Sequence, residues 1–164
     1  MKGETQMANR TMTLMLVSLV WALVLLGASS ASNDISVGTW KQDLTKSTRP
    51  GPPLKSSLNK IEIVDGRVKF TNDAIDAEGR LTHSEWTGKY DGVDYPIHGD
   101  PNRDAVARKY IDQYTVENTN KLRGKVTTIS LSVYSPDGKS KSERTTGTNA
   151  QGEKVDFSVF WERQ

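Results

Sequence analysis

Lys154-Val155-Asp156-Phe157-Ser158-Val159-Phe160-Trp161-Glu162 alternates polar and apolar side chains with a period of two, broken only at Phe160. That period belongs to a strand with one buried face, because successive side chains of an extended chain point to opposite sides. Val155, Phe157, Val159 and Trp161 are expected to face inward, with Lys154, Asp156, Ser158 and Glu162 outside. The turn signal Asn149-Ala150-Gln151-Gly152 stands before this run, and the same format of run and turn repeats backward through the chain. Asp65-Gly66, Asp91-Gly92, Leu122-Arg123-Gly124 and Pro136-Asp137-Gly138 each supply glycine where a hairpin turn wants a positive φ.

The intervening runs predict ten strands, near 36–42, 57–64, 67–74, 80–90, 93–98, 105–111, 114–121, 125–135, 139–147 and 153–162. Apolar sets at Ile61 and Ile63, Val68 and Phe70, Val93, Tyr95 and Ile97, and Ile129, Leu131 and Val133 predict one buried face throughout. No run after Asp34 sustains helical spacing for three turns, although Asp104 to Tyr110 has room for a short helical turn. Sequential antiparallel strands with hairpin-length turns predict an all-β, up-and-down antiparallel β-barrel of about ten strands, since closure removes both sheet edges. The long connection Asp43 to Ser56 carries Pro50, Pro52 and Pro53, which suit a stiff linker across one barrel end.

Upstream, Lys2 and Arg10 precede the apolar run Leu14 to Leu26, and small residues Gly27 to Ala31 follow it. This is the three-part form of a secretory signal peptide. Its apolar core of 13 residues is shorter than the roughly 20 that a membrane-crossing helix needs, so no permanent membrane anchor is expected. The expected division is residues 1–31 as signal peptide and 32–164 as the barrel domain, giving a periplasmic or secreted protein. Cysteine is absent, so disulfides and lipid attachment through cysteine are excluded. With 22 Lys and Arg against 20 Asp and Glu, the chain lacks the basic excess of a nucleic-acid binder.

Catalytic groups are sparse. His83 and Glu85 share a strand face, but without a nucleophile turn of Gly-x-Ser-x-Gly type they read as a solvated outer face. Asp100-x-Asn102-x-Asp104 is spaced like the start of a calcium loop, yet Ala105 and Ile111 stand where glycine and glutamate are required, so Asx-turn chemistry is expected instead. Ser57-x-x-Lys60 lies on a strand with no accompanying motif. No catalytic set, metal site or cofactor is expected, and the protein is read as a non-enzyme.

Facing each apolar set inward points Val106, Arg108 and Tyr110 into the barrel, joined by Asn118 from the next strand. In 139–147, Lys139, Lys141 and Glu143 suit solvent, which would turn Ser140, Ser142, Arg144 and Thr146 inward. Two buried arginines without a strand carboxylate call for internal water, an anionic ligand, a different register on one of the two strands, or a guanidinium that reaches a barrel mouth and stays solvated. Arg108, Tyr110, Asn118, Arg144 and Trp86 are therefore the candidate ligand-binding residues.

Gly38-Thr39-Trp40 resembles the Gly-x-Trp of lipocalins, members of the calycin group of β-barrels, in which the Trp plugs one barrel end. The resemblance implies a basic residue from the last strand over that ring, and Arg163 is placed for it. Gly38-Thr39-Trp40-Lys41, Lys46-Ser47, Pro50-Gly51-Pro52, Tyr90-Asp91-Gly92, Asp94-Tyr95-Pro96 and Gly147-Thr148-Asn149-Ala150-Gln151-Gly152 resemble a group of uncharacterised exported bacterial proteins of lipocalin-like type. That likeness implies a β-barrel and an envelope location and carries over no catalytic residue. Ten strands, and Arg108-x-Tyr110, are similar to fatty-acid-binding proteins, whose Arg-x-Tyr anchors a carboxylate. The expected function is small-molecule binding, for a hydrophobic or amphipathic anionic ligand. The alternative is a cell-envelope interaction module or inhibitor presenting Trp86, Tyr90, Phe160 or the proline loop. An isomerase or cyclase housed in such a barrel is a third reading, disfavoured because no paired acid and base emerge.

Overall fold

The computed structural model describes residues 34–164. The expected signal peptide, residues 1–31, lies outside them. Ten strands follow one another: β1 (Gly38–Asp43), β2 (Leu54–Val64), β3 (Arg67–Asp76), β4 (Leu81–Gly88), β5 (Asp91–His98), β6 (Ala105–Asp112), β7 (Thr115–Leu122), β8 (Lys125–Tyr134), β9 (Ser140–Thr148) and β10 (Lys154–Arg163). Each pairs antiparallel with its neighbour in sequence, and β1 pairs with β10 from Trp40↔Arg163 to Asp43↔Phe160, closing the barrel. Ala105 to Asp112 forms β6, as the expected strand near 105–111 has it, and not the short helical turn for which Asp104 to Tyr110 has room, because it pairs with β7 with one irregularity between Tyr110 and Asp112. No helix occurs among the described residues, and none there is long and apolar enough to cross a membrane.

One end is plugged. Trp40 is fully buried, and its indole nitrogen donates to the Ser36 carbonyl at 2.9 Å. The Arg163 guanidinium lies 4.2 Å over the Trp40 ring and donates to the carbonyls of Ile35 at 2.7 Å, Val37 and Gly138. Gly38 makes this fit, having a φ of 143° and leaving room where a Cβ would lie 2.3 Å from the Arg163 Nη1. Trp40 thus closes this barrel end beneath a basic residue of the last strand, the arrangement expected from Gly38-Thr39-Trp40 and Arg163.

The other end is ringed by the β1–β2, β5–β6 and β9–β10 loops. Beyond β1 the chain stays beside β10, where Thr48 N donates to the Ser158 carbonyl at 2.8 Å, and Arg49 to Pro52 then line the mouth as the prolines suggested. The Gln151 side chain reaches Asn102 at 3.5 Å, joining two of the loops. Asp100 behaves as a turn residue, accepting from Asn102 N at 2.9 Å and Arg103 Nε at 2.8 Å.

The expected inward face is observed on most strands and reversed on two. Ile129, Leu131 and Val133 point outward, 41%, 42% and 46% exposed, while Ser130, Ser132 and Tyr134 are buried inside. On β9, Arg144 is outside, held bidentately by Asp156 at 2.9 and 2.8 Å, and Lys141 is inside. The cause is register. Directly paired antiparallel residues share a face. The inward Val159 and Trp161 of β10 pair with Glu143 and Lys141, which pair in turn with Ser132 and Tyr134 of β8. Val93 is also exposed, beside an irregularity where β5 meets β6.

Candidate functional site

The barrel encloses a cavity of about 800 Å³ that runs from the mouth loops down to Arg108, Tyr134 and Lys141. Its wall is mixed. Ile61, Phe70, Val116 and Phe157 supply apolar surface, while Asn59, Asn72, Asn120, Ser130 and Thr145 supply amides and hydroxyls. Much of the polar wall satisfies itself. Asn72 donates to Asn59 at 2.6 Å and to Ser57 at 3.0 Å, Asn120 donates to Thr128 at 3.0 Å, and Ser130 bonds Thr145 at 2.8 Å.

Arg108 is the central charge of this interior. It is buried, and its guanidinium carbon sits 4.3 Å from the Phe70 ring centroid and 4.6 Å from that of Trp86. Two aromatic faces replace part of the hydration a cation loses on burial. They do not replace hydrogen bonds: Nε is buried with no protein partner, and no carboxylate forms an ion pair with Arg108 among the described residues. Asn118, its partner across β6 and β7, donates Nδ2 to Ser132 Oγ at 3.4 Å and leaves Oδ1 unpartnered.

A second cation, Lys141, lies deeper, surrounded by the rings of Trp161 at 4.9 Å, Trp40 at 5.4 Å and Tyr134 at 5.7 Å. Burial pulls its ammonium down to about 8; Glu143 opposes the shift, while Arg108 and Arg163 add to it by like-charge repulsion. Glu143 accepts from Ser132 Oγ at 2.8 Å. The cavity floor therefore holds two cations and one carboxylate, a net positive interior.

The five expected ligand-binding residues divide. Arg108 and Asn118 face the cavity together. Trp86 is buried beneath Arg108 and donates to the Val106 carbonyl at 3.1 Å, so it supports the arginine and does not line the cavity. Tyr110 points toward the plugged end: its hydroxyl donates to Asp34, its ring meets Tyr90 edge-on at 4.9 Å, and burial together with Asp34 raises its pKa. The Arg-x-Tyr pair thus does not converge on one point of the cavity. Arg144 is outside, as described. Lys141, Glu143, Gln42 and Trp161 also line the cavity; Trp161 is expected inside from the sequence as a core residue only, whereas the polarity of Lys141 and Glu143 suits solvent.

The catalytic candidates stay apart. His83 bonds Asp73 at 2.6 Å on the exposed surface, and Ser57 is buried whereas Lys60 is exposed on the opposite face of β2. Among the described residues no cluster of three His, Cys, Asp or Glu could hold a metal ion. Of the aromatic residues considered for a protein-contacting surface, Trp86 is buried and Tyr90 packs against the core, which leaves Phe160 outside.

No protein-family model matches this chain, and no curated protein does. The chain is similar in fold to the crystal structure of a protein of unknown function from the DUF3598 family of Nostoc punctiforme PCC 73102, with a TM-score of 0.51 and 20% identity. The match covers 79% of this chain and 48% of that one, so this chain spans about half of its length. The likeness concerns the fold alone.

Proposed function

We propose that the protein is an exported, non-enzymatic binding protein that holds a small anionic molecule inside its barrel, with the acid group on Arg108. The observation that carries this reading is a buried guanidinium that lines a cavity and has neither a carboxylate nor a hydrogen-bond partner for Nε. Burying such a charge costs several kcal/mol unless something pairs it, and an acid entering from the mouth is a natural partner. The partners implied are small molecules, with no nucleic acid and no cofactor.

The test is calorimetric titration of hexanoate and related small carboxylates into wild-type protein and two variants. Arg108→Met keeps side-chain bulk and should weaken binding at least about tenfold, since hydrogen bonds to charged groups contribute about 1.5 to 3 kcal/mol. Arg144→Ala, on the outer surface, should bind as wild type does. Absent binding, or equal binding to the Arg108 variant, removes the reading. Export is tested separately by the mass of protein recovered from the periplasm or medium, which should begin at Ser32.

A second reading, an envelope interaction module, rests on the outward stripe of Ile129, Leu131 and Val133. A stoichiometric protein co-purifying with the wild type, and lost from a Leu131→Lys variant, would favour it.

A further inference from the structure

Besides Arg108 Nε and Asn118 Oδ1, two more buried polar atoms have no protein partner: Gln42 Nε2 and Trp161 Nε1. All four residues are 6% exposed, and all four line the cavity. They form two pairs by register. Arg108 stands opposite Asn118 across β6 and β7, and Gln42 stands opposite Trp161 across β1 and β10. In a ring of ten strands β1 and β6 lie half a circumference apart, so the pairs occupy facing walls.

The two poles differ in chemistry. At the first, Arg108 donates and Asn118 Oδ1 accepts, which suits an acid group with a hydroxyl or bound water beside it. At the second, Gln42 Nε2 and Trp161 Nε1 both donate. Lys141 pairs with Trp161 across β9 and β10 and brings positive charge to the same row. Gln42 Oε1 is an acceptor on the same amide, but donors predominate in this row: Gln42 Nε2, Trp161 Nε1 and the Lys141 ammonium. A pole of donors and one cation calls for acceptor atoms, preferably charged. Glu143 accepts from Ser132 on the wall between and acts on Lys141 through space, so it offsets one of the two cations and leaves the floor net positive.

We propose that the ligand is a short polar acid with two acceptor ends, a dicarboxylate or a sugar acid in type, whose far end is held by Gln42, Trp161 and Lys141. This rests on the Arg108 reading above and narrows it. A fatty acid would lay an alkyl chain along Asn59, Asn72, Asn120, Ser130 and Thr145 and leave all three donors of the second pole unpaired, each at a desolvation cost. A two-ended acid pairs both poles at once.

The experiment titrates a diacid series from malonate to suberate, with glucarate, against hexanoate and laurate. The proteins are the wild type, Trp161→Phe, Gln42→Leu and Arg108→Met, each checked for an unchanged barrel by circular dichroism. One diacid length, or glucarate, should bind at least about tenfold more tightly than hexanoate. Trp161→Phe removes the indole N–H and keeps an aromatic ring; it and Gln42→Leu should each erase most of that preference while leaving hexanoate affinity within about twofold. Arg108→Met should weaken every acid. At pH 8 the preferred diacid should take up protons on binding, because a second carboxylate beside Lys141 favours its charged form, whereas hexanoate should not. Hexanoate or laurate binding as tightly as every diacid, or a diacid preference untouched in both second-pole variants, overturns the two-ended ligand while Arg108-dependent binding stands. Failure of every acid to bind overturns both.

Discussion

Replacing Trp40 with alanine should remove a large share of the stability of the barrel. The ring is fully buried, packs edge-on against Tyr134 with centroids 5.3 Å apart, lies beneath Arg163 at 4.2 Å and bonds the Ser36 carbonyl at 2.9 Å. An aromatic side chain of this class buries roughly 150 to 250 Å². At about 25 cal/mol per Å² that is worth about 4 to 6 kcal/mol. Large-to-small aromatic truncations in protein cores cost about 3 to 5 kcal/mol, and Trp40→Ala should fall in that range. A domain of this size has about 5 to 15 kcal/mol in total. With a urea slope of about 1.5 kcal/mol/M, the unfolding midpoint should drop by about 2 to 3 M. Far-ultraviolet circular dichroism is the assay of choice, because the chain has 4 Trp and deleting one confounds fluorescence. Trp40→Phe, which keeps a ring under Arg163, should lose clearly less. A midpoint within about 0.5 M of wild type for Trp40→Ala would refute the plug and with it the account of how this end is closed.

Two further outcomes follow from the same packing. Gly38→Ala should destabilise by about 1 to 3 kcal/mol, because a side chain at a φ of 143° is strained and the new Cβ also displaces the Arg163 guanidinium from Trp40; in an Arg163→Ala background only the backbone strain remains, so the loss should be smaller, and equal losses in thermal melts of the two backgrounds would show that the clash adds nothing to the strain. Lys141 gives a pH signature: its folded-state pKa of about 8 lies below the ordinary 10.5, so between those values the unfolded chain binds more protons and stability rises with pH across that window. Lys141→Met should therefore be more stable than wild type at pH 7, by an amount that shrinks from pH 8 to 10.5, and a variant less stable at pH 7 in urea titration would mean that the ring contacts outweigh the buried charge.

The strand count and order were legible because hairpin turns announce themselves locally. Asp65-Gly66 and Asp91-Gly92 fall where β2 meets β3 and where β5 begins, and the predicted strands match the observed ones to within about three residues. Closure was legible for the same reason, since a meander with short turns leaves β1 and β10 as the only edges to join. The plug was legible through Gly38-Thr39-Trp40, a stretch whose chemistry is confined to a few atoms. What each strand shows to the interior is a different matter, because it depends on register with two neighbours.

Strands β8 and β9 make that dependence concrete. Local polarity put Ile129, Leu131 and Val133 inside and Lys141 and Glu143 outside, and the two assignments agree with each other, since Leu131 pairs with Arg144 and Ser132 with Glu143. They conflict with β10. The pairs joining β9 to β10, such as Trp161 with Lys141 and Phe157 with Thr145, match odd residues with odd. The inward odd face of β10 therefore forces the odd residues of β9 inward. Reversing β9 reverses β8, which then meets the inward Val116 and Asn118 of β7 through the pairs Val116↔Ser132 and Asn118↔Ser130. Two strands are thus rotated as a unit against their own hydropathy because the strands on either side have stronger claims on the core: Val155, Phe157, Val159 and Trp161 on one side, Val116 on the other. The consequence for function is direct. Rotation takes three aliphatic side chains out of the cavity and puts a lysine, a glutamate, Ser130, Ser132 and Thr145 into it, so the departure from hydrophobic patterning is what makes the interior polar, the property on which the proposed anion site depends.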